Sequence, residues 1–313
     1  MNIERQDAQH ELMEPRINRR NGEREWTGLR DISGPSLQLV QNNGLAVLGE
    51  QARADRKEYE QQPPRPSLWS ELLAGFEWVA LKASPVYYGL GVPHGAGAPV
   101  ILVPGFLGSD LSLLEMHLWL GRLGYRSFPS RIGRNAECPD ILLERLSETI
   151  SYARRETGQK VSLIGHSLGG LLARSAAGQM PDDVAQLITM GTPLRRLTAH
   201  PAVFTLIKRF LRRSNRRSSG QPCLKVFHAG LKECLPQPVP HTSICSGTDP
   251  IVQLDDCSGN ERGRTIEVAS THIGMPVSPA VYREVAAALA SPQPIAVPAN
   301  IDRIPESVLP RAA

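Results

Sequence analysis

The stretch with the clearest capacity for chemistry is Lys160-Val-Ser-Leu-Ile-Gly-His-Ser-Leu-Gly-Gly170. Val161, Leu163 and Ile164 form a short apolar, β-rich run that reads as a buried strand. Leu171, Leu172, Ala173, Ala176 and Ala177 continue with helical spacing, and Pro181 punctuates the end. Ser167 therefore stands at the apex of a sharp strand-to-helix turn, its hydroxyl lifted out of the sheet for attack on an electrophile. Gly165 and Gly169 flank it because a side chain at either place would crowd the bend. The pattern G-x-S-x-G arises by chance in roughly a tenth of chains this long. The strand before it and the Ala-rich helix after it are what give it weight.

A serine hydroxyl is a poor nucleophile at neutral pH. It needs a base, an acid to orient that base, and donors for the oxyanion that develops on the attacked carbonyl. Of the eight histidines, His272 follows the predicted strand Thr265–Ala269 directly, in Ser-Thr-His-Ile-Gly, where catalytic loops of a parallel sheet lie. His10 and His94 precede the sheet, His117 is inside a helix, and His166 is expected to point away from Ser167. For the acid, Asp249 sits just past a strand in a Gly/Thr/Pro turn, with Asp255 and Asp256 as alternatives further along the same loop. A turn-capping role is the less favoured alternative for Asp249. For the oxyanion, Val103-Pro-Gly-Phe-Leu-Gly108 offers a Gly-rich turn after the first core strand, and the N–H groups of Phe106 and Leu168 are the expected pair.

The elements that must position these residues alternate from Pro99 onward. Strands are predicted at 100–103, 125–128, 161–164, 185–190, 241–245 and 265–269. Helices are predicted at 111–123, 139–157 and from about Pro279 to Leu289. Such alternation argues for an α/β fold with a mostly parallel sheet covered by helices on both faces. Residues 63–290 form the predicted catalytic domain. Residues 1–62 read as a mobile or loosely docked extension, and residues 291–313 as a Pro-rich tail. Between them Leu68 to Ala83 has helical spacing. Trp69, Leu72, Leu73, Phe76, Val79 and Ala80 share one side, which is expected to pack on the core.

The chain order Ser167, Asp249, His272 is that of the α/β-hydrolase fold. From about Pro99 to Leu289 the sequence resembles that superfamily, and within it bacterial lipase and esterase-like members. GHSLGG is similar to their nucleophile elbow, PGFLG to their oxyanion loop (with Pro104 where many members have His), and GTDPIV and STHIG to their acid and histidine loops. The resemblance implies a compact sheet of about six strands and acyl transfer through an acyl-enzyme. In it Ser167 attacks, His272 shuttles the proton and Asp249 holds His272. It implies a small-molecule ester or lipid substrate, with neither cofactor nor metal. An acyltransferase or thioesterase using the same triad, or a catalytically silent lipid- or protein-binding fold, are the competing expectations.

About 45 residues, 194–238, separate two of the strands, too many for a plain connection, and are read as a cap or lid insertion. This block holds ten Lys/Arg and no Asp/Glu between Leu194 and Lys232, on a chain of net charge +4. Ala202 to Arg213 reads as an amphipathic helix, with Val203, Leu206, Ile207 and Phe210 on one face. Leu107, Leu111, Val203, Ile207 and Phe210 are the expected apolar pocket lining. Lys208, Arg209, Arg212 and Arg213 lie off the apolar face, and Arg216 and Arg217 follow in a Ser/Asn-rich loop. The expectation is a solvated cap helix whose apolar face covers the pocket, with a lid that also touches an anionic membrane surface as the second reading. Nucleic acid is not an expected partner, because no recognition motif accompanies the charges. The five cysteines show no C-x-x-C spacing and are expected as buried or reduced thiols, with Cys223 and Cys234 the pair able to close a loop under oxidising conditions. The charged N-terminus lacks a secretory apolar run, so the expected location is cytoplasmic.

Overall fold

In the computed structural model the described residues are 66–195, 199–203, 205–207, 209–210, 226–227, 239–258 and 263–290, with two short strands nearer the N-terminus. Those two, β1 (Arg16–Ile17) and β2 (Arg24–Glu25), pair antiparallel. They belong to a unit of their own, residues 1–49. The expected tail at 291–313, most of the extension at 1–62 and most of the cap lie outside the described residues.

Six strands make the main sheet: β3 (Pro99–Val103), β4 (Arg126–Pro129), β5 (Val161–His166), β6 (Val184–Met190), β7 (His241–Cys245) and β8 (Arg264–Glu267). Their spatial order is β4-β3-β5-β6-β7-β8, and every neighbouring pair is parallel. Parallel strands need crossover connections, and buried helices on both faces follow from that. Along β3 every residue is buried, and the pleat sends Val100 and Leu102 to one core and Ile101 and Val103 to the other. The first core also holds Trp119 of α2 (Leu114–Arg122) and Tyr282 of α6 (Pro279–Ala290). The second holds Leu142, Leu146 and Ile150 of α3 (Pro139–Thr157), and Leu172 and Ala176 of α4 (Leu168–Gln179). Within the described residues the six predicted strands and the helices predicted at 111–123, 139–157 and 279–289 are present, with edges moved by a residue or two. The helix predicted at Ala202–Arg213 runs beyond the described residues. At Asp110–Leu113 the predicted helix opens instead as a 3-10 turn.

One expectation is overturned. A 3-10 turn at Leu68–Leu73 runs into α1 (Ala74–Ala83), so the helical reading holds, but its apolar stripe faces outward. Trp69, Leu72, Phe76 and Val79 are 79%, 72%, 73% and 58% exposed, and of the helix only Leu81 is buried. The polar side docks instead. Glu71 and Glu77 accept hydrogen bonds from residues 271–273, and Lys82 pairs with Glu115 at 2.6 Å. Periodicity identifies a stripe; it does not identify what the stripe faces when the opposite side carries carboxylates that match waiting N–H donors.

The cysteine expectation is also corrected. Cys245, the last residue of β7, is disulfide-bonded to Cys257, the last residue of the short helix α5 (Leu254–Cys257), with their Cα atoms 5.7 Å apart. The bridge closes the loop that carries Asp249. Cys223 and Cys234 lie outside the described residues. No helix among the described residues is long and apolar enough to cross a membrane.

Candidate active site

Ser167 terminates β5 and opens α4 with φ 52° and ψ −124°. A non-glycine residue held at positive φ is strained, and such strain persists only where the surroundings over-determine it. Here they do. The Ser167 N–H donates to the Met190 carbonyl at 2.8 Å, its carbonyl accepts from Gly170 N–H at 2.9 Å, and Thr192 Oγ1 donates to it at 3.0 Å. The flanking glycines are needed for contact. A Cβ on Gly165 would lie 2.4 Å from the Gly170 Cα, and one on Gly169 would lie 2.4 Å from the carbonyl oxygens of both Val103 and Pro104. The elbow is thus wedged between its own helix and the end of β3.

His272 and Asp249 are both nearly fully buried, and His272 Nδ1 meets Asp249 Oδ2 at 2.6 Å. The other carboxylate oxygen, Oδ1, accepts from Ile251 N–H at 2.7 Å and Val252 N–H at 2.9 Å. One oxygen of Asp249 thus meets the His272 ring and the other caps the turn. Asp255 is exposed, and Asp256, though buried, engages the start of the insertion through its carbonyl, which accepts from Leu194 and Arg195 N–H. With Nδ1 occupied, Nε2 of His272 is the ring nitrogen left for a second partner. No hydrogen bond joins it to the Ser167 hydroxyl among the described residues. Contacts of this kind are commonly loose before substrate binds. The neighbourhood is shared all the same. Gly191 follows the residue that holds Ser167 N–H, and a Cβ on it would lie 3.1 Å from His272 Nδ1.

The turn after β3 reaches the same rim. A Cβ on Gly105 would lie 3.2 Å from the Ser167 Cβ. Leu107 N–H is consumed by the Asn135 carbonyl at 2.9 Å. The N–H groups of Phe106 and Leu168 have no acceptor among the described residues. Of the expected pocket residues, Phe106 and Phe210 pack edge to face with ring centroids 5.7 Å apart. Val203 packs against the cluster of Cys245, Ile251, Val252 and Cys257 beneath the acid loop. Leu111 is 78% exposed and lies on the surface. Ile207 is half-buried. Arg212, Arg213, Arg216 and Arg217 lie outside the described residues.

Four supporting residues escaped sequence reasoning. Asn135 is buried, and its Nδ2 donates to the Pro104 carbonyl at 2.8 Å while its backbone bonds Leu107 and Gly108. His166, expected to turn away, instead contacts the histidine loop. Its Nε2 lies 3.0 Å from the His272 carbonyl, and the two rings are 5.0 Å apart. A carbonyl only accepts, so that nitrogen carries the proton. Burial, aided by the charge of His272, pushes its pKa down to about 3, which keeps it neutral beside the site. Glu71 and Glu77, from a helix about 200 residues earlier in the chain, complete the set. A lone Asn, a His beside the serine and two helical Glu residues carry no motif. Only the second of these, as a neighbour of Ser167, gave any signal. Among the described residues no group of three His, Cys, Asp or Glu gathers for a metal ion.

A six-stranded parallel sheet, an elbow serine after its third strand in chain order and a histidine–aspartate pair past the last two strands define the α/β-hydrolase fold. Within that fold, residues 142–228 match the PGAP1-like alpha/beta domain, a stretch that includes Ser167 but neither Asp249 nor His272. The chain is 32% identical over 132 residues to a triacylglycerol lipase of Burkholderia plantarii, covering 39% of this chain and 37% of that one. It is 34% identical over 106 residues to a triacylglycerol lipase of Pseudarthrobacter phenanthrenivorans, covering 31% and 33%. It thus spans about a third of the length of the curated relatives it matches. Among solved structures it is similar to a monoacylglycerol lipase of Paleococcus ferrophilus, at 16% identity and a TM-score of 0.46, covering 64% of this chain and 97% of that one. That likeness is too distant to carry function.

Proposed function

We propose that this protein is a serine hydrolase of carboxylic esters with apolar acyl chains. The observation that carries the reading is the buried 2.6 Å bond between Asp249 and His272, set at the same rim as a strained serine whose backbone is fully bonded. Ser167 Oγ attacks the ester carbonyl carbon while His272 Nε2 takes its proton. Asp249, fixed by two N–H donors on its other oxygen, holds the ring and stabilises the imidazolium. The carbonyl oxygen becomes an oxyanion facing Phe106 and Leu168 N–H, each such donor being worth on the order of 3 kcal/mol. Collapse breaks the bond to the alcohol oxygen, which leaves with the proton from His272. Water, deprotonated by His272, then attacks the acyl-enzyme carbonyl. The carboxylic acid leaves and the proton returns to Ser167.

The apolar preference is supported by the packing of Phe106, next to the proposed oxyanion donors, against Phe210 and by the outward apolar stripe of the Leu68–Ala83 segment. Similarity to two triacylglycerol lipases points the same way. A cytoplasmic location sits poorly with the Cys245–Cys257 disulfide, since such bridges persist in oxidising compartments. The test is turnover of p-nitrophenyl esters of graded chain length by the purified chain beside Ser167→Ala, with labelling by a fluorophosphonate. The expected result is labelling at Ser167, a longer-chain optimum and a fall of about a million-fold in kcat for the variant. An unlabelled Ser167 rejects the hydrolase, and a sharp optimum at acetyl rejects the apolar preference.

A further inference from the structure

The histidine loop has little regular structure of its own, yet it must hold an imidazole to within a fraction of an ångström. Thr271, His272 and Ile273 follow β8 across a short irregular stretch, and their backbone N–H groups point toward the helical segment that precedes the sheet in sequence. Glu71 meets two of them, Oε1 accepting from His272 N–H at 3.0 Å and Oε2 from Ile273 N–H at 2.7 Å. Glu77 takes the third, Oε1 accepting from Thr271 N–H at 3.0 Å, while Oε2 accepts from Thr271 Oγ1 at 2.8 Å. The loop wraps closely on this second carboxylate: a Cβ on Gly274 would lie 1.3 Å from Glu77 Oε2. From the other side His166 Nε2 binds the His272 carbonyl. Three consecutive N–H groups, that of the imidazole's own residue and one on each side of it, are thus answered by two carboxylates on one helical segment. These carboxylates, with the buried Leu81, dock a segment whose large aromatic residues face outward.

We propose that Glu71 and Glu77 are positioning residues for His272, which makes the Leu68–Ala83 segment a working part of the active site rather than an appendage to it. The proposal rests on the hydrolase reading for its kinetic consequences and on the hydrogen bonds alone for the clamp. The two residues are not equivalent. Both oxygens of Glu71 face N–H donors. A glutamine there would turn its own NH2 against one of them, leaving an amide unpaired and the loop displaced. Glu77 faces one N–H and one hydroxyl, and a hydroxyl can accept, so glutamine fits with a donor turned to Thr271 Oγ1. Glu71 also sits close enough to His272 for their charges to interact. Burial, with a smaller push from the charge of Asp249, raises its pKa on balance, against the pull of the two backbone donors and His272. The charged or titratable groups around the histidine loop are Asp249, Glu71, Glu77 and the neutral His166.

The experiment uses the full chain with Glu71→Gln, Glu77→Gln and Glu71→Asp. It measures steady-state ester kinetics across pH, thermal melting and amide hydrogen exchange of residues 271–273. For Glu71→Gln the expected result is a fall in kcat of about tenfold or more with KM little changed, since small displacements of a catalytic group carry costs up to a hundredfold. Exchange at residues 271–273 should quicken while the amides of β5 keep their rates. The acid limb of kcat/KM should move to lower pH, because removing a negative charge beside an imidazole makes it easier to deprotonate. Glu77→Gln should lose less than about threefold, its hydrogen bonds being replaceable. Should the glutamine variant fold poorly, Glu71→Asp keeps the charge and shortens the reach, and is expected to lower kcat with the acid limb in place. A lowered melting temperature with kcat, acid limb and loop exchange all unchanged would show a merely structural role and overturn the proposal. If the wild-type chain neither turns over esters nor labels at Ser167, the hydrolase reading fails by itself. Loop exchange in Glu71→Gln then decides the clamp: quickened exchange supports it and unchanged exchange overturns it.

Discussion

The serine elbow and the histidine loop sit at one rim, yet they are built in opposite ways. The elbow is local. Its strain, its glycines and its first helical turn all lie between Gly165 and Gly170, and its few outside partners are backbone carbonyls and one threonine hydroxyl. The histidine loop is assembled from a distance. Its ring is held by Asp249, 23 residues earlier, and its backbone by carboxylates separated from it by about 200 residues. The elbow's geometry is enforced by exclusion, with no space for another shape. The loop's geometry is enforced by matching donors to acceptors. Exclusion and matching should respond differently to substitution.

Beyond removal of the nucleophile itself, the largest expected effect is on the matched side and spares the fold. In Asp249→Asn the amide oxygen can keep the Ile251 and Val252 N–H groups, so the turn persists. The NH2 then faces His272 Nδ1, which must accept rather than donate, and the ring is left in the wrong tautomer for taking a proton from Ser167. We expect kcat to drop on the order of 10⁴-fold with a melting temperature close to that of the unsubstituted chain. An active Asp249→Asn variant would remove Asp249 from the mechanism. If activity and stability fell together, the turn-capping oxygen would be the one that matters.

The same contrast explains what the sequence disclosed. Exclusion leaves a compositional trace: small residues at fixed offsets around a serine, between an apolar strand and an Ala-rich helix. The elbow, the sheet and the chain order of Ser167, Asp249 and His272 were legible for that reason. Asp249 was legible because strand ends are where catalytic loops sit, although nothing in its turn foretold that its two oxygens would serve two roles. Matching leaves no such trace. Glu71 and Glu77 look like any helical glutamates, and Asn135 like any loop asparagine, because the partners that give them meaning are brought close only by folding. The Cys245–Cys257 pair was missed likewise. Its spacing resembles no motif, and the bridge follows from β7 and α5 meeting across the acid loop.

On the excluded side, activity and stability should fall together. In Gly169→Ala the new methyl carbon would stand 2.4 Å from two carbonyl oxygens at the end of β3, neither of which is the far end of a flexible side chain. The helix or the oxyanion turn must move. We expect a loss of about 1–3 kcal/mol in stability, read by denaturant unfolding. The loss of ester turnover should not be recoverable at low temperature, because Leu168 N–H and Phe106 N–H separate even in the folded variant. Native stability, or turnover restored on cooling, would show that the elbow adapts, and the distinction between the two regions would weaken.

The smallest expected effect lies on the segment that joins the two arguments. Trp69 and Phe76 carry the strongest apolar signal between residues 68 and 83, and a reading from periodicity alone makes them core residues whose truncation costs about 3–5 kcal/mol. The structure leaves them 79% and 73% exposed and docks the helix through Glu71 and Glu77. Trp69→Ser and Phe76→Ser should therefore change stability by no more than about 0.5 kcal/mol and leave turnover of a short, water-soluble ester unaltered. The helix is then fixed by Leu81, buried in the core, and by two partly buried carboxylates that accept from the histidine loop, with its aromatic face free for substrate or surface. A loss of several kcal/mol in either variant would restore the periodic reading and mean that the stripe, rather than the carboxylates, holds the segment in place.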